Sequence, residues 1–140
     1  MRVAWCSVTL AIAMCGFAVD CPVTTPRNPP LVAPAPHRPL PNSGVWYGTE
    51  ELWTLLTRTG TWGPPPQNEH YRQKVFFWSK SFDCRKEHQP PLRFSGERLD
   101  GEAPPLAVDG ANAVIFGNGT AAMLVGIDVP TTGCWEFTSS

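Results

Sequence analysis

From Gly44 to Ser140 the apolar side chains alternate with period two, and Pro, Gly and Asp-Gly steps interrupt them before any run grows long. Alternation of this kind puts successive side chains on opposite faces of an extended strand, whereas a helix needs apolar residues three and four apart. No stretch of about ten residues keeps helical spacing, so the pattern predicts an all-β domain, an antiparallel β-sandwich of short strands. Leu52, Thr54 and Leu56 oppose Trp53 and Leu55, up to a turn at Thr59-Gly60 that leads to Trp62. Gly63 and the prolines from Pro64 to Pro66 then force a loop. Val75 to Trp78 is apolar on both faces, as a central strand should be. Leu92 and Phe94 alternate with Arg93 and Ser95 until Asp100-Gly101, and Ala113 to Phe116 precedes a Gly117-Asn118-Gly119 turn. Met123, Val125, Ile127 and Val129 line one face of a further strand, and Trp135 with Phe137 one face of the last.

Thr49 to Thr57 also reads as a short helix, with Thr49 as cap and Glu50 and Glu51 near its N-terminus. Trp53, Thr54 and Thr57 are poor helix formers and the flanking glycines leave little length, so strand is the better reading. The two alternating runs of Met123 to Ser140 are joined by a Pro/Thr/Gly turn, and the second is expected to pair with a strand downstream. The sandwich is therefore expected to lack its last strand. Residues 44–140 suffice for one core, and so for one domain.

Upstream the character changes. One positive charge at Arg2 precedes an uncharged apolar run from Val3 to Ala18, which is short of the about 20 residues of a membrane-spanning helix. With Gly16 and Ala18 as small residues before the cut, residues 1–18 read as a cleaved signal peptide. A retained anchor and lipidation at Cys15 are the alternatives; Ile12 and Ala13 suit a lipid site and the large Met14 does not. Residues 19–43 carry half of the 16 prolines, which bars a helix or central strand and predicts an extended spacer between leader and domain. The same prolines allow a second reading, as a ligand for proline-recognising modules.

Cys6 and Cys15 belong to the leader, which leaves Cys21, Cys84 and Cys134 outside it. In an oxidising compartment these give one disulfide and one thiol. Cys134 alternates with Trp135, so if Trp135 points inward Cys134 points outward and its partner lies over that face. Cys21 is the first choice and Cys84 the alternative. No CxxC pair occurs and no His lies close to Cys21 or Cys134 in sequence, which argues against a zinc site.

A net charge of −1 and a pI near 6.3 give no electrostatic basis for binding nucleic acid. Contact with a membrane is expected only through the leader or a lipid. The ionisable candidates are His37, His70, His88, Glu69, Asp83, Glu87 and Asp128. Glu69-His70 and Glu87-His88 are adjacent pairs that point apart on an extended chain, so neither converges on one atom. No catalytic residue, cofactor site or metal site is assigned, and Asn118-Gly119-Thr120, which fits a glycosylation acceptor, reads as a turn. The aromatics divide by position. Trp78 and Trp135 are expected in the core, while Trp46, Tyr47, Trp62 and Tyr71 flank turns and form an expected exposed contact surface for a glycan or an envelope protein.

Cys21 to Pro26, Tyr47-Gly48 before Leu52-Trp53-Thr54, Lys74 to Trp78, Gly96 to Gly101 with Pro104-Pro105-Leu106, and Met123 to Phe137 around Gly133-Cys134-Trp135-Glu136 make up most of the chain after the leader. Together these motifs resemble an uncharacterised family of secreted or lipid-anchored bacterial proteins with immunoglobulin-like domains. The resemblance implies an immunoglobulin-like sandwich outside the cytoplasm and implies no chemistry. Two function classes remain: an envelope-associated binding or structural module, and a small extracytoplasmic enzyme or enzyme-regulating domain. A flat or apolar contact region marks the first, and a pocket of converging ionisable groups the second.

Overall fold

The computed structural model of the chain describes residues 21–33, 44–59, 71–117 and 119–140. The leader with Cys15, His37, the turn at Gly60, Trp62, the triple proline, Glu69-His70 and Asn118 lie outside the described residues. All the secondary structure described is β. The strands are β1 (Gly44–Gly48), β2 (Leu52–Thr57), β3 (Tyr71–Ser79), β4 (Phe94–Arg98), β5 (Ala107–Val108), β6 (Asn112–Ile115), β7 (Ala121–Val129) and β8 (Trp135–Ser139). One antiparallel sheet runs β1-β2-β3-β7-β5, with β6 continuing beside β7; β4 and β8 form a second, two-stranded sheet. The last strand thus finds a partner upstream in β4, from Phe94↔Ser139 to Arg98↔Trp135, where the sequence pattern pointed downstream.

Local chemistry sets the turns. Thr49, the expected helix cap, closes the β1–β2 hairpin: its Oγ1 accepts the N–H groups of Glu51 and Leu52, both at 3.2 Å, and its own N–H donates to Leu52 O at 2.8 Å. Gly48, with φ of 109°, makes the bend, a conformation that costs other residues energy. Between β5 and β6 the edge strand takes four steps from Val108 to Asn112 while β7 takes three from Ile127 to Leu124. The extra residue is a β-bulge around Asp109 to Ala111. Asp109 and Asp128 flank it and share Arg72, which reaches Asp128 at 3.0 Å.

Register assigns the two faces of the large sheet. Val75, Phe77, Met123, Val125, Ile127 and Val129 share the inner face and are buried, Ile127 completely. Against them pack the half-buried Phe94, Trp135 and Phe137 of the second sheet, with ring centroids 5.9 Å apart for Phe77 and Phe94 and 5.5 Å for Phe94 and Phe137. Trp53, Trp78, Trp46 and Leu55 share the outer face by the pairings Trp53↔Trp78 and Trp46↔Leu55. Leu31 and Ala33 cover this cluster, and the rings of Trp46 and Trp78 meet edge to face at 5.2 Å.

Two expectations are corrected here. The fully buried tryptophans are Trp46 and Trp53, at 6% and 2% exposure; Trp78 and Trp135 are half-buried. The N-terminal segment, expected as a spacer, is buried at Leu31 and Ala33, because three indoles on the outer face of the sheet need an apolar cover.

Candidate functional site

The two sheets do not close on each other along their full length. Between them lies a cleft of ≈ 910 Å³. One wall is the inner face of the large sheet, with Tyr47, Thr54, Leu56, Tyr71, Val75 and Phe77; the other carries Phe94, Trp135 and Phe137. Residues 21–24 and the loop 131–133 stand at its mouth. Alternation explains the composition: inner-face positions are apolar because they face the opposite sheet, and where that sheet is only two strands wide the same side chains line open space.

The mouth is held by a small set of bonds. Cys21 and Cys134 form a disulfide with Cα atoms 5.5 Å apart, and Cys84 is a half-buried free thiol. This is the first of the two pairings that the alternation of Cys134 with Trp135 left open. Cys134 is itself buried, at 3% exposure, although its strand position pointed outward; the bonded N-terminal segment shares in covering it. Three residues on, the Tyr47 hydroxyl donates to Thr24 O at 3.2 Å and ties the segment to β1. On the opposite side Arg98 Nε donates to Asp100 Oδ1 at 2.6 Å, Arg98 Nη1 reaches Thr131 Oγ1 at 3.4 Å, and Trp135 Nε1 donates to Thr131 O at 3.1 Å. Leu99 N–H donates to Cys134 O at 2.7 Å. The Arg98 guanidinium first, and then the backbone N–H of Cys134, hold the Asp100 carboxyl below the usual carboxylate range. The disulfide, the loop and the β4 end therefore brace one another.

Of the four aromatics expected on an exposed contact surface, the structure brings together two. Tyr47 and Tyr71 are half-buried and both line the cleft. Trp46 is buried on the opposite face of the sheet, which corrects its assignment: neighbours on a strand point to opposite faces, so Trp46 and Tyr47 cannot serve one surface. Trp62 lies outside the described residues. Phe94, Trp135 and Phe137 complete the cleft, and their sequence positions mark them only as strand or core residues, because alternation marks an inward face without marking what lies opposite it.

The ionisable candidates among the described residues, Asp83, Glu87, His88 and Asp128, stay apart from the cleft. His88 is exposed, and its backbone carbonyl caps the edge strand by accepting Ala113 N–H at 2.9 Å. Asp83 is held below the usual carboxylate range by Lys86 and then by the Arg85 N–H, within its own turn. Asp128 pairs with Arg72 on the outer face. Among the described residues no three His, Cys, Asp or Glu side chains group closely enough to hold a metal ion. No protein family, curated protein or solved structure matches this chain.

Proposed function

We propose that the chain is an extracytoplasmic, envelope-associated binding module of immunoglobulin-like build, exported by the leader at residues 1–18, and that it holds its ligand in the cleft between the two sheets. One observation carries the reading. A cleft walled by aromatic rings from both sheets, and large enough for a small ligand, opens beside a disulfide-braced mouth. Such a surface is useful to a binder and expensive for a purely structural domain, which gains by closing its sheets over the same side chains. Export is supported by the apolar leader and by the Cys21–Cys134 bond, which is at home in an oxidising compartment. The immunoglobulin-like reading draws support from two antiparallel sheets across one core and from the Gly133-Cys134-Trp135-Glu136 motif.

The test is a binding screen of the oxidised chain lacking its leader against cell-wall fragments, glycans and purified envelope proteins. Binding is to be mapped by shifts in the NMR signals of Tyr47, Tyr71 and Trp135. A ligand that perturbs these residues and leaves Trp46 and Trp53 unmoved is the expected result. Binding that maps to the outer face, or an exported chain that still carries Met1, overturns the corresponding part of the reading.

A further inference from the structure

Resting on that reading, we propose the class of ligand: an uncharged, largely apolar small molecule, with anions rejected. The argument is one of charge. Among the described residues lining the cleft there is no Lys, Arg or His, and the one acid is Glu136. Glu136 is exposed between the half-buried Trp135 and Phe137, so alternation sends its carboxylate to the far side of the second sheet. Arg98, which bonds the loop at the mouth, is committed to Asp100 and Thr131, and Arg72 is committed to Asp109 and Asp128 on the outer face. A charged ligand entering this space gives up its hydration and meets no counter-charge from the described residues that line it, a loss that apolar contacts do not repay.

What the cleft does offer is rings and hydroxyls. Phe77, Phe94, Phe137 and Trp135 supply flat apolar surface, with Trp135 and Phe137 lying nearly parallel, 7° apart. The Tyr47 hydroxyl already donates to Thr24 O, which leaves its oxygen to accept from a ligand hydroxyl or amide, and the Tyr71 hydroxyl, which donates to Gln73 Oε1, adds a second polar edge. The volume of ≈ 910 Å³ falls near the top of the range of about 300–1,000 Å³ typical of small-molecule sites. Val23 and Leu99 add an independent sign. Both line the cleft and are 49% and 40% exposed, large apolar side chains in water that an apolar occupant would cover.

A matched pair of dyes tests the proposal. N-phenylnaphthylamine and anilinonaphthalene sulfonate share their rings and differ by one sulfonate. Titrated into the oxidised chain lacking its leader, the neutral dye should bind at least about tenfold more tightly than the anion and should raise the melting temperature. Val23→Asp, at an exposed position of the mouth, should weaken the neutral dye several-fold. Thr132→Lys, at an exposed loop position beside it, should narrow the gap between the dyes by strengthening the anion. Equal binding of the two dyes, or tighter binding of the sulfonate, overturns the ligand class and leaves the cleft as a site. Failure of both dyes to bind a folded chain overturns the binding reading with it. If neither substitution alters either dye, binding lies elsewhere and the cleft assignment falls. Should a variant not fold, the comparison of the two dyes on the unaltered chain decides alone.

Discussion

Single residues set the shape of the cleft more than its chemistry. Gly48 sits at φ 109° where the β1–β2 hairpin bends, and a Cβ there would lie 2.3 Å from Leu52 O, a backbone atom that cannot swing aside. Gly48→Ala should therefore cost about 1–3 kcal/mol, read from denaturant melts, and should displace Tyr47 at the cleft wall. A neutral result would mean that the hairpin relaxes freely. Asp100 is the second such residue. Its folded-state pKa is lowered by Arg98 and then by the Cys134 N–H, so the stability it contributes is present above the unfolded carboxylate value and is lost as pH falls through the lower, folded one. Thermal melts should show a loss of stability on acidification below about pH 4 that is smaller in Asp100→Asn; Asp83, held down by Lys86 and the Arg85 N–H, sends the unaltered chain in the same direction. An identical acid profile in Asp100→Asn would remove Asp100 from the account.

At the level of elements, the N-terminal segment 21–33 is where sequence reasoning and structure part most. The segment is fixed at three points: the disulfide to Cys134, the Tyr47 hydroxyl at Thr24 O, and the packing of Leu31 and Ala33 on Trp46 and Trp53. It thus passes from the cleft mouth to the opposite face of the sheet. The bond spans 113 residues, and cross-linking so long a loop stabilises by about 5 kcal/mol on the chain-entropy argument. Reduction, or Cys21→Ser, should lower the melting point accordingly and make the exposed Arg27 more accessible to trypsin, while Trp46 and Trp53 keep their blue-shifted emission because Leu31 remains docked. Cleavage at Arg27 at the same rate in both redox states would show that the disulfide does not position the segment. None of this docking is legible in a proline-rich sequence: proline predicts an extended backbone but not what the intervening Leu31 and Ala33 touch. Strands β7 and β8 are legible because each carries a one-sided apolar pattern, and β2 and β3 because their extended apolar runs, filling both faces, are bounded by turn residues. Strand β1 is not, since Val45, Trp46 and Tyr47 between two glycines look like the flank of a turn. The pairing of β4 with β8 was equally hidden, because register between distant strands is fixed by the partner and not by the strand's own residues.

The described residues form one large sheet dressed on both faces, with the second sheet, the cleft and residues 21–24 on one side and Leu31 and Ala33 of the N-terminal segment on the other. Strands β2 and β3 belong to both layers. Trp53 and Thr54 of β2 are buried on opposite faces, and β3 sends Val75 and Phe77 inward while Trp78 meets Trp46 outward. The two clusters therefore share backbone, and neither can melt without pulling on the ladders that hold the other. Such coupling should make unfolding a single cooperative transition. The consequence is a prediction about a residue remote from every outer-face tryptophan. Ile127 is fully buried in the inner core, and Ile127→Ala should cost about 2–5 kcal/mol through lost contacts and the cavity left behind. If the sheet couples its faces, tryptophan emission, to which the outer-face Trp46, Trp53 and Trp78 contribute, should shift at the same lowered denaturant midpoint as the far-ultraviolet signal of the whole sheet. A variant in which the emission keeps its original midpoint while the sheet signal moves would show two independent cores. The segment 21–33 would then be the cover of a separate unit, and the bracing of the cleft mouth by the disulfide would lose its link to the outer face.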